Sequence, residues 1–199
     1  MQEIIEELYK IGAVKIGEFT LTSGLKSPFY IDLRRIYSYP DLAMRIVDKI
    51  ISSIDLREID MIIGIATAGI PLATYIACKN KIPMGYIRIE RKEHGTASTV
   101  EGDVTKKRIA VVDDVATTGG SIEKSIQILK ELGGDPKIVI VVVDREQGAR
   151  ERIERLGVKF YRLLTAKEIF RTLLLKRFID EKIYKEILDY LEKTRSIIT

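Results

Sequence analysis

Five short strand-like runs punctuate the chain, at 61–66, 84–90, 109–112, 137–144 and 160–164, and small or charged residues follow each of them. Runs of this length rich in Ile and Val suit buried strands. Helical spacing separates them: Leu72 and Ile76 fall in a helix ending near Lys79, and Ile122, Ile126, Ile128 and Leu129 in another. Strand alternating with helix predicts an α/β sandwich around a mainly parallel sheet. The first forty residues lie outside that repeat. Ile4, Ile5, Leu8 and Ile11 share a helical face over 2–11, and Gly12 stops it. Residues 19–32 alternate around a Ser23-Gly24 turn like two short strands, and 41–51 are helical again through Leu42, Ile46, Val47 and Ile50. We read 1–40 as a cap over the ligand edge, 60–165 as the core sheet, and 166–199 as C-terminal helices, all within one domain spanning 1–199. Helices over 166–175 and 181–192 bring Ile169, Leu173, Ile183, Ile187, Leu188 and Leu191 to packing positions, and nothing catalytic stands out there.

The stretch 108–122 organises the rest. Ile109 to Val112 reads as a strand, Asp113 and Asp114 end it, and Thr117, Thr118, Gly119, Gly120 and Ser121 lead into a helix. In open α/β sheets the carboxyl edge of the strands is where ligands bind. A loop of small residues entering a helix presents several backbone N–H groups to one anion. Gly119 and Gly120 leave the approach open, and three hydroxyls add donors. The lysine of a Walker loop is missing, so a terminal phosphate monoester fits better than a transferring γ-phosphate. Two adjacent carboxylates beside it can accept hydrogen bonds from a vicinal diol. Phosphate plus diol describes ribose 5-phosphate. The plainer alternative is a buried strand ending in a solvated acidic turn and a helix cap.

Composition narrows the setting. At 199 residues the chain is long enough for one good core, and 46% hydrophobic with 31% charged residues reads as globular. The net charge of +4 is mild. No basic run or basic-aromatic interleaving points to nucleic acid. No apolar run approaches the ~20 residues of a membrane span, and the N-terminus has no signal-like apolar core. The single cysteine, Cys78, rules out an internal disulfide framework and suits a reducing cytoplasm. Its helical pattern with Leu72 and Ile76 predicts a buried structural thiol.

Val111-Val-Asp-Asp-Val-Ala-Thr-Thr-Gly-Gly-Ser121 resembles the phosphoribosyl-diphosphate (PRPP) motif of type I phosphoribosyltransferases. The resemblance implies their three-layer α/β/α fold with an N-terminal hood and a flexible hairpin loop. It assigns Asp113 and Asp114 to the ribose hydroxyls, and Val115, Ala116, Thr117, Thr118, Gly119, Gly120 and Ser121 to the 5′-phosphate loop. Residues 19–32, Phe-Thr-Leu-Thr-Ser-Gly-Leu-Lys-Ser-Pro-Phe-Tyr-Ile-Asp, resemble the N-terminal signature of the orotate phosphoribosyltransferase family. That implies Lys26, Phe29 and Tyr30 around the base and diphosphate, where spacing alone would favour an ordinary hairpin. Thr67 and Ala68, in the small-residue turn after 61–66, match the loop that contacts diphosphate; some family members carry a lysine where Ala68 stands.

The charged stretch 88–104 reads as a hairpin arm and holds the only histidine. Arg88, Arg91, Lys92 and His94 form a dense cationic group able to close over a leaving diphosphate. It resembles the family's catalytic loop, Arg-Lys-x-x-Lys-x-His-Gly, on which Arg88, Lys92 and His94 match while Ile89 replaces a common lysine. Arg91 supplies a charge nearby. Arg145, after 137–144, resembles the family's orotate-carboxylate arginine, and Thr117 is assigned to orotate as well; by spacing alone Arg145 is a surface residue. The implied reaction is PRPP plus orotate giving orotidine 5′-monophosphate and diphosphate, with Lys92, His94 and Asp114 as catalytic residues. Mg²⁺ is expected as a clamp held mainly by PRPP and water, with no protein-caged metal. A cytoplasmic homodimer with shared active sites is expected. Transfer to another base, or a non-catalytic PRPP-sensing regulator, are the alternatives.

Overall fold

The computed structural model describes residues 1–20, 26–88 and 99–196. Helix α1 (Gln2–Lys10) buries Ile4, Ile5 and Leu8 on one face. Strands β1 (Val14–Thr20) and β2 (Lys26–Ile31) pair antiparallel as a separate two-stranded sheet, with Ile16 opposite Phe29. The expected Ser23-Gly24 turn lies outside the described residues. A 3-10 helix, Leu33–Ser38, follows; hydrophobic spacing did not reveal it. Asp32 starts it by accepting the Arg34 amide. Helix α2 (Pro40–Ser53) opens on proline, whose missing N–H has no intrahelical partner to lose there.

The strand-helix repeat then runs through β3 (Met61–Ile65), α3 (Gly69–Asn80), β4 (Met84–Ile87), β5 (Val100–Glu101), β6 (Arg108–Ala116), α4 (Gly120–Glu131), β7 (Asp135–Asp144), α5 (Ala149–Glu154) and β8 (Lys159–Thr165). Helices α6 (Ala166–Leu175) and α7 (Glu181–Ser196) close the described chain. One sheet has the order β5-β4-β3-β6-β7-β8, and every neighbouring pair is parallel except β4 with β5. The antiparallel strand, β5, falls within the stretch 88–104. Strand alternation sends Ala110, Val112, Ile140 and Val142 to the face covered by α2, α3, α6 and α7. Ile109, Val111, Val139 and Val141 face α4 and α5. The result is a three-layer α/β arrangement. No helix among the described residues is long and apolar enough to cross a membrane.

Two expectations need correction. Asp113 and Asp114 do not end their strand: β6 runs to Ala116, because Asp113, Val115 and Ala116 keep register with Val141, Val143 and Asp144 of β7. Cys78 is exposed, since α3 buries Leu72, Ala73, Ile76 and Ala77 and the next position turns off that face. The cap also draws on the far end of the chain. Phe29 is fully buried against Phe170 of α6 and Tyr190 of α7, with ring centroids 4.7 and 5.8 Å away.

Candidate active site

The strand order reverses at the β3–β6 pair. Helix α3 leaves to one face and α4 to the other, which opens a crevice at the carboxyl ends of these two strands. Close packing shapes it. A side chain at Gly69 would place its Cβ 2.3 Å from the Val112 carbonyl oxygen, so only glycine lets α3 start directly over β6. The Ala66–Thr67 peptide leading into this turn is cis.

At the end of β6, the Asp113 carboxylate accepts the Asp114 amide at 2.9 Å, and Asp114 accepts the Val115 amide at 2.7 Å. Both carboxyls titrate above their ordinary value. Burial is the main cause for each, and the Asp114 charge pushes Asp113 further. The loop then turns at Gly119, whose φ of +78° strains any side chain and where an added Cβ would stand 3.0 Å from Ala149 Cα. No side chain caps the start of α4. Its first-turn N–H groups therefore lack a side-chain partner, as an anion site requires.

A cavity of about 650 Å³ lies over these loops. It gathers Tyr30, Thr67, Ala68, Asp114, Val115, Thr117, Thr118 and Arg145, all singled out in the sequence. Asp113, Ala116, Gly119, Gly120 and Ser121 form the strand end, loop and helix start behind that lining. The cavity also includes Thr20, Asp32 and Arg34, which sequence reasoning missed. Arg34 pairs with Asp32 at 2.7 Å, and its charge acts on Asp114. No periodicity or motif marked it, because it sits in the unrecognised 3-10 turn.

Arg145 occupies the opposite wall. It is 5% exposed, and burial lowers its pKa. Its amide donates to the Ala116 carbonyl, which ties the β7 exit to the PRPP-like loop. Its guanidinium lies 4.6 Å from the Phe29 ring centroid and donates a long 3.4 Å hydrogen bond to Ser27 Oγ, while Nε has no partner among the described residues. Phe29 is thus the platform beneath Arg145 rather than a lining side chain.

The remaining predicted residues lie elsewhere. Lys26 is exposed and paired with Glu18 at 2.5 Å, beside a second cavity of about 550 Å³ bordered by Ile183 and Tyr190. Arg88, half-buried, donates to Tyr86 Oη at 2.8 Å and Glu101 at 3.0 Å. Lys92 and His94, with Arg91, lie outside the described residues. Among the described residues no three His, Cys, Asp or Glu side chains converge as a metal cage.

Comparison with known proteins bears directly on this geometry. The family model described as "Phosphoribosyl transferase domain" matches residues 34–172. The orotate phosphoribosyltransferase of Staphylothermus marinus is 45% identical over 195 residues, covering 98% of this chain and 96% of that protein. The crystal structure of orotate phosphoribosyltransferase from Aeropyrum pernix superposes with a TM-score of 0.79 at 43% identity, over 85% of this chain and 97% of that one. The Mycobacterium tuberculosis orotate phosphoribosyltransferase in complex with PRPP is similar at a TM-score of 0.68 and 27% identity, over 84% of this chain and 97% of that one.

Proposed function

Because this chain belongs to the phosphoribosyl transferase family, among its orotate phosphoribosyltransferases, we propose that the crevice transfers the phosphoribosyl group of PRPP to orotate. The products are orotidine 5′-monophosphate, a precursor of UMP, and diphosphate. One observation carries the choice of base: a buried cation, Arg145, faces the cavity with an unpartnered Nε, across from Asp114. A buried charge without a counter-ion is costly. A planar carboxylate on the ligand compensates it through the guanidinium fork, and orotate carries one.

The roles follow from placement. Asp113 and Asp114 accept hydrogen bonds from the ribose 2′- and 3′-hydroxyls. The N–H groups and hydroxyls from Thr117 to Ser121 take the 5′-phosphate, and the Thr67-Ala68 turn meets the diphosphate. Tyr30 and Thr117 wall the base. Ring N1 of orotate bonds to the ribose C1′ as the C1′–O bond to diphosphate breaks, through an oxocarbenium-like transition state, and the N1 proton passes to the departing diphosphate or water. Positioning and charge stabilisation therefore carry the catalysis. Arg88, Lys92 and His94 supply positive charge for the departing diphosphate. The residues present fit Mg²⁺ held mainly by the diphosphate and water: Asp32 and Asp114, the carboxylates lining the cavity, would meet it, and the ion when bound would neutralise developing charge.

A homodimer with shared sites completes the reading. The 88–104 arm leaves the sheet at β4, which β3 separates from the strand β6 that carries the ribose loop. A reducing cytoplasm suits the single cysteine and the soluble phosphate substrates. The direct test is diphosphate release from PRPP with and without Mg²⁺. Release should require orotate and exceed that seen with adenine or uracil. Release that is equal with another base would overturn the assignment.

A further inference from the structure

Tyr190 lies on α7, outside the span matched by the family model and on a helix to which the sequence assigned no chemistry. Its surroundings converge on Arg145. Two contacts hold the guanidinium: the Phe29 face at 4.6 Å and the long hydrogen bond to Ser27. Phe29 is gripped from two sides, by Phe170 tilted at 4.7 Å and by Tyr190 edge-on at 5.8 Å with an interplanar angle of 89°. An aromatic edge on an aromatic face is a favoured geometry with little freedom to slide. The Tyr190 hydroxyl is buried and has no hydrogen-bond partner among the described residues. A second tie anchors the same helix to the loop carrying Arg145: Gln147 Nε2 donates to Thr194 Oγ1 at 2.7 Å, between buried groups.

The physical need for such a support is specific to arginine. A long cationic side chain in an apolar pocket tends to swing its head toward water. A carboxylate partner would normally hold it, but among the described residues none of the contacts on Arg145 is a carboxylate. The fork is useful only if its plane is set before the ligand arrives, because two parallel hydrogen bonds to a carboxylate demand coplanarity.

From these contacts we infer that Tyr190 is a positioning residue of the base site. Through its edge on the Phe29 ring it fixes the plane of the Arg145 guanidinium, so that α7 takes part in recognising the ligand carboxylate. This rests on the reading of Arg145 as the partner of orotate.

The test compares Tyr190→Phe, Tyr190→Leu, Arg145→Ala and the double variant Tyr190→Leu/Arg145→Ala, measuring KM for orotate and for PRPP, and melting temperature. Tyr190→Phe keeps the ring edge and removes only a hydroxyl that lacks a partner, so it should melt no lower than the parent and leave both KM values within twofold. Tyr190→Leu removes the ring edge, and its orotate KM should rise roughly three- to tenfold, the scale of one lost edge-to-face aromatic contact. Its PRPP KM should stay within twofold. In the Arg145→Ala background, Tyr190→Leu should change nothing more. An unchanged orotate KM in Arg145→Ala would overturn the base-site reading and the inference with it. A raised KM there, with Tyr190→Leu inside twofold of the parent or Tyr190→Phe as damaging as Tyr190→Leu, would overturn the inference alone. Equal rises in both KM values, or an effect of Tyr190→Leu that persists without Arg145, would mark Tyr190 as merely structural.

Discussion

Burial raises the pKa of Asp113 and Asp114 above the ordinary carboxylate value, and the adjacent charge adds to the rise at Asp113. Between that ordinary value, 3.8, and the raised ones, the folded state holds more protons than the unfolded state. The pair's contribution to stability therefore falls as pH rises through this window. Asp144, also raised by burial, acts with the same sign, whereas Asp32 and Asp60, lowered by hydrogen bonds from Arg34 and Arg108, act oppositely. A difference measurement isolates the pair. Asp113→Asn keeps an oxygen to accept the Asp114 amide and sheds the buried charge. Its melting temperature at pH 7 should exceed the parent's, with the gap closing toward pH 4, while its PRPP KM rises. Asp114→Asn should likewise weaken PRPP use without loss of fold. Unchanged PRPP kinetics in both folded variants would remove the pair from the site. Arg145→Ala should act on the other substrate. A lost charged hydrogen bond costs about 1.5–3 kcal/mol, which corresponds to a roughly 10- to 100-fold higher orotate KM, with a much smaller change for PRPP. Equal damage to both substrates would make Arg145 structural.

At the scale of elements, the site depends on how closely α3 and α4 start upon the strands that feed them. Gly69 permits the first contact, with the Val112 carbonyl 2.3 Å from where a Cβ would stand. Gly69→Ala must push α3 away from β6 beside Asp113. Such overpacking costs about 1–3 kcal/mol, and PRPP use should fall with stability. Gly120 is the counterpart in α4. An added Cβ there meets nothing closer than Thr118 Oγ1 at 3.8 Å. Alanine is also the better helix former, so thermal melting of Gly120→Ala should match or exceed that of the parent. A loss of stability in Gly120→Ala, or none in Gly69→Ala, would contradict this account of the two helix starts.

At the scale of the whole molecule, the question is which subunit's arm serves which crevice. Two inactive variants answer it. Lys92→Ala damages only the arm, and Asp114→Asn damages only the ribose loop. When subunits exchange, a shared-site dimer contains one crevice with an intact arm from one chain over an intact loop from the other, and activity should return. If each arm closes on its own chain, every site keeps one defect and the mixture stays inactive. Continued inactivity with heterodimers demonstrated by native mass spectrometry would rule out the shared site.

The amino-acid order alone determined the strand-helix repeat, the carboxylate pair and small-residue loop of 113–121, and the arginine after β7. These are local: a strand's apolar run, a phosphate loop and its acids are contiguous, so their spacing can be read without knowing what lies nearby. The sequence reading also identified residues 26–30, but not their division of labour. Tertiary structure decided that Phe29 lies under Arg145 while Tyr30 lines the cavity, because strand alternation sends them to opposite faces and only the packing against α6 and α7 says which face is buried. It decided that β6 outlasts its apolar run, since pairing with β7 satisfies backbone groups regardless of the acidic side chains they carry. Arg34 and Tyr190 came into view only there. Arg34 lies 80 residues from Asp114 and Tyr190 161 from the Phe29 ring beneath Arg145, and no period or motif in the chain encodes a contact made at such a separation.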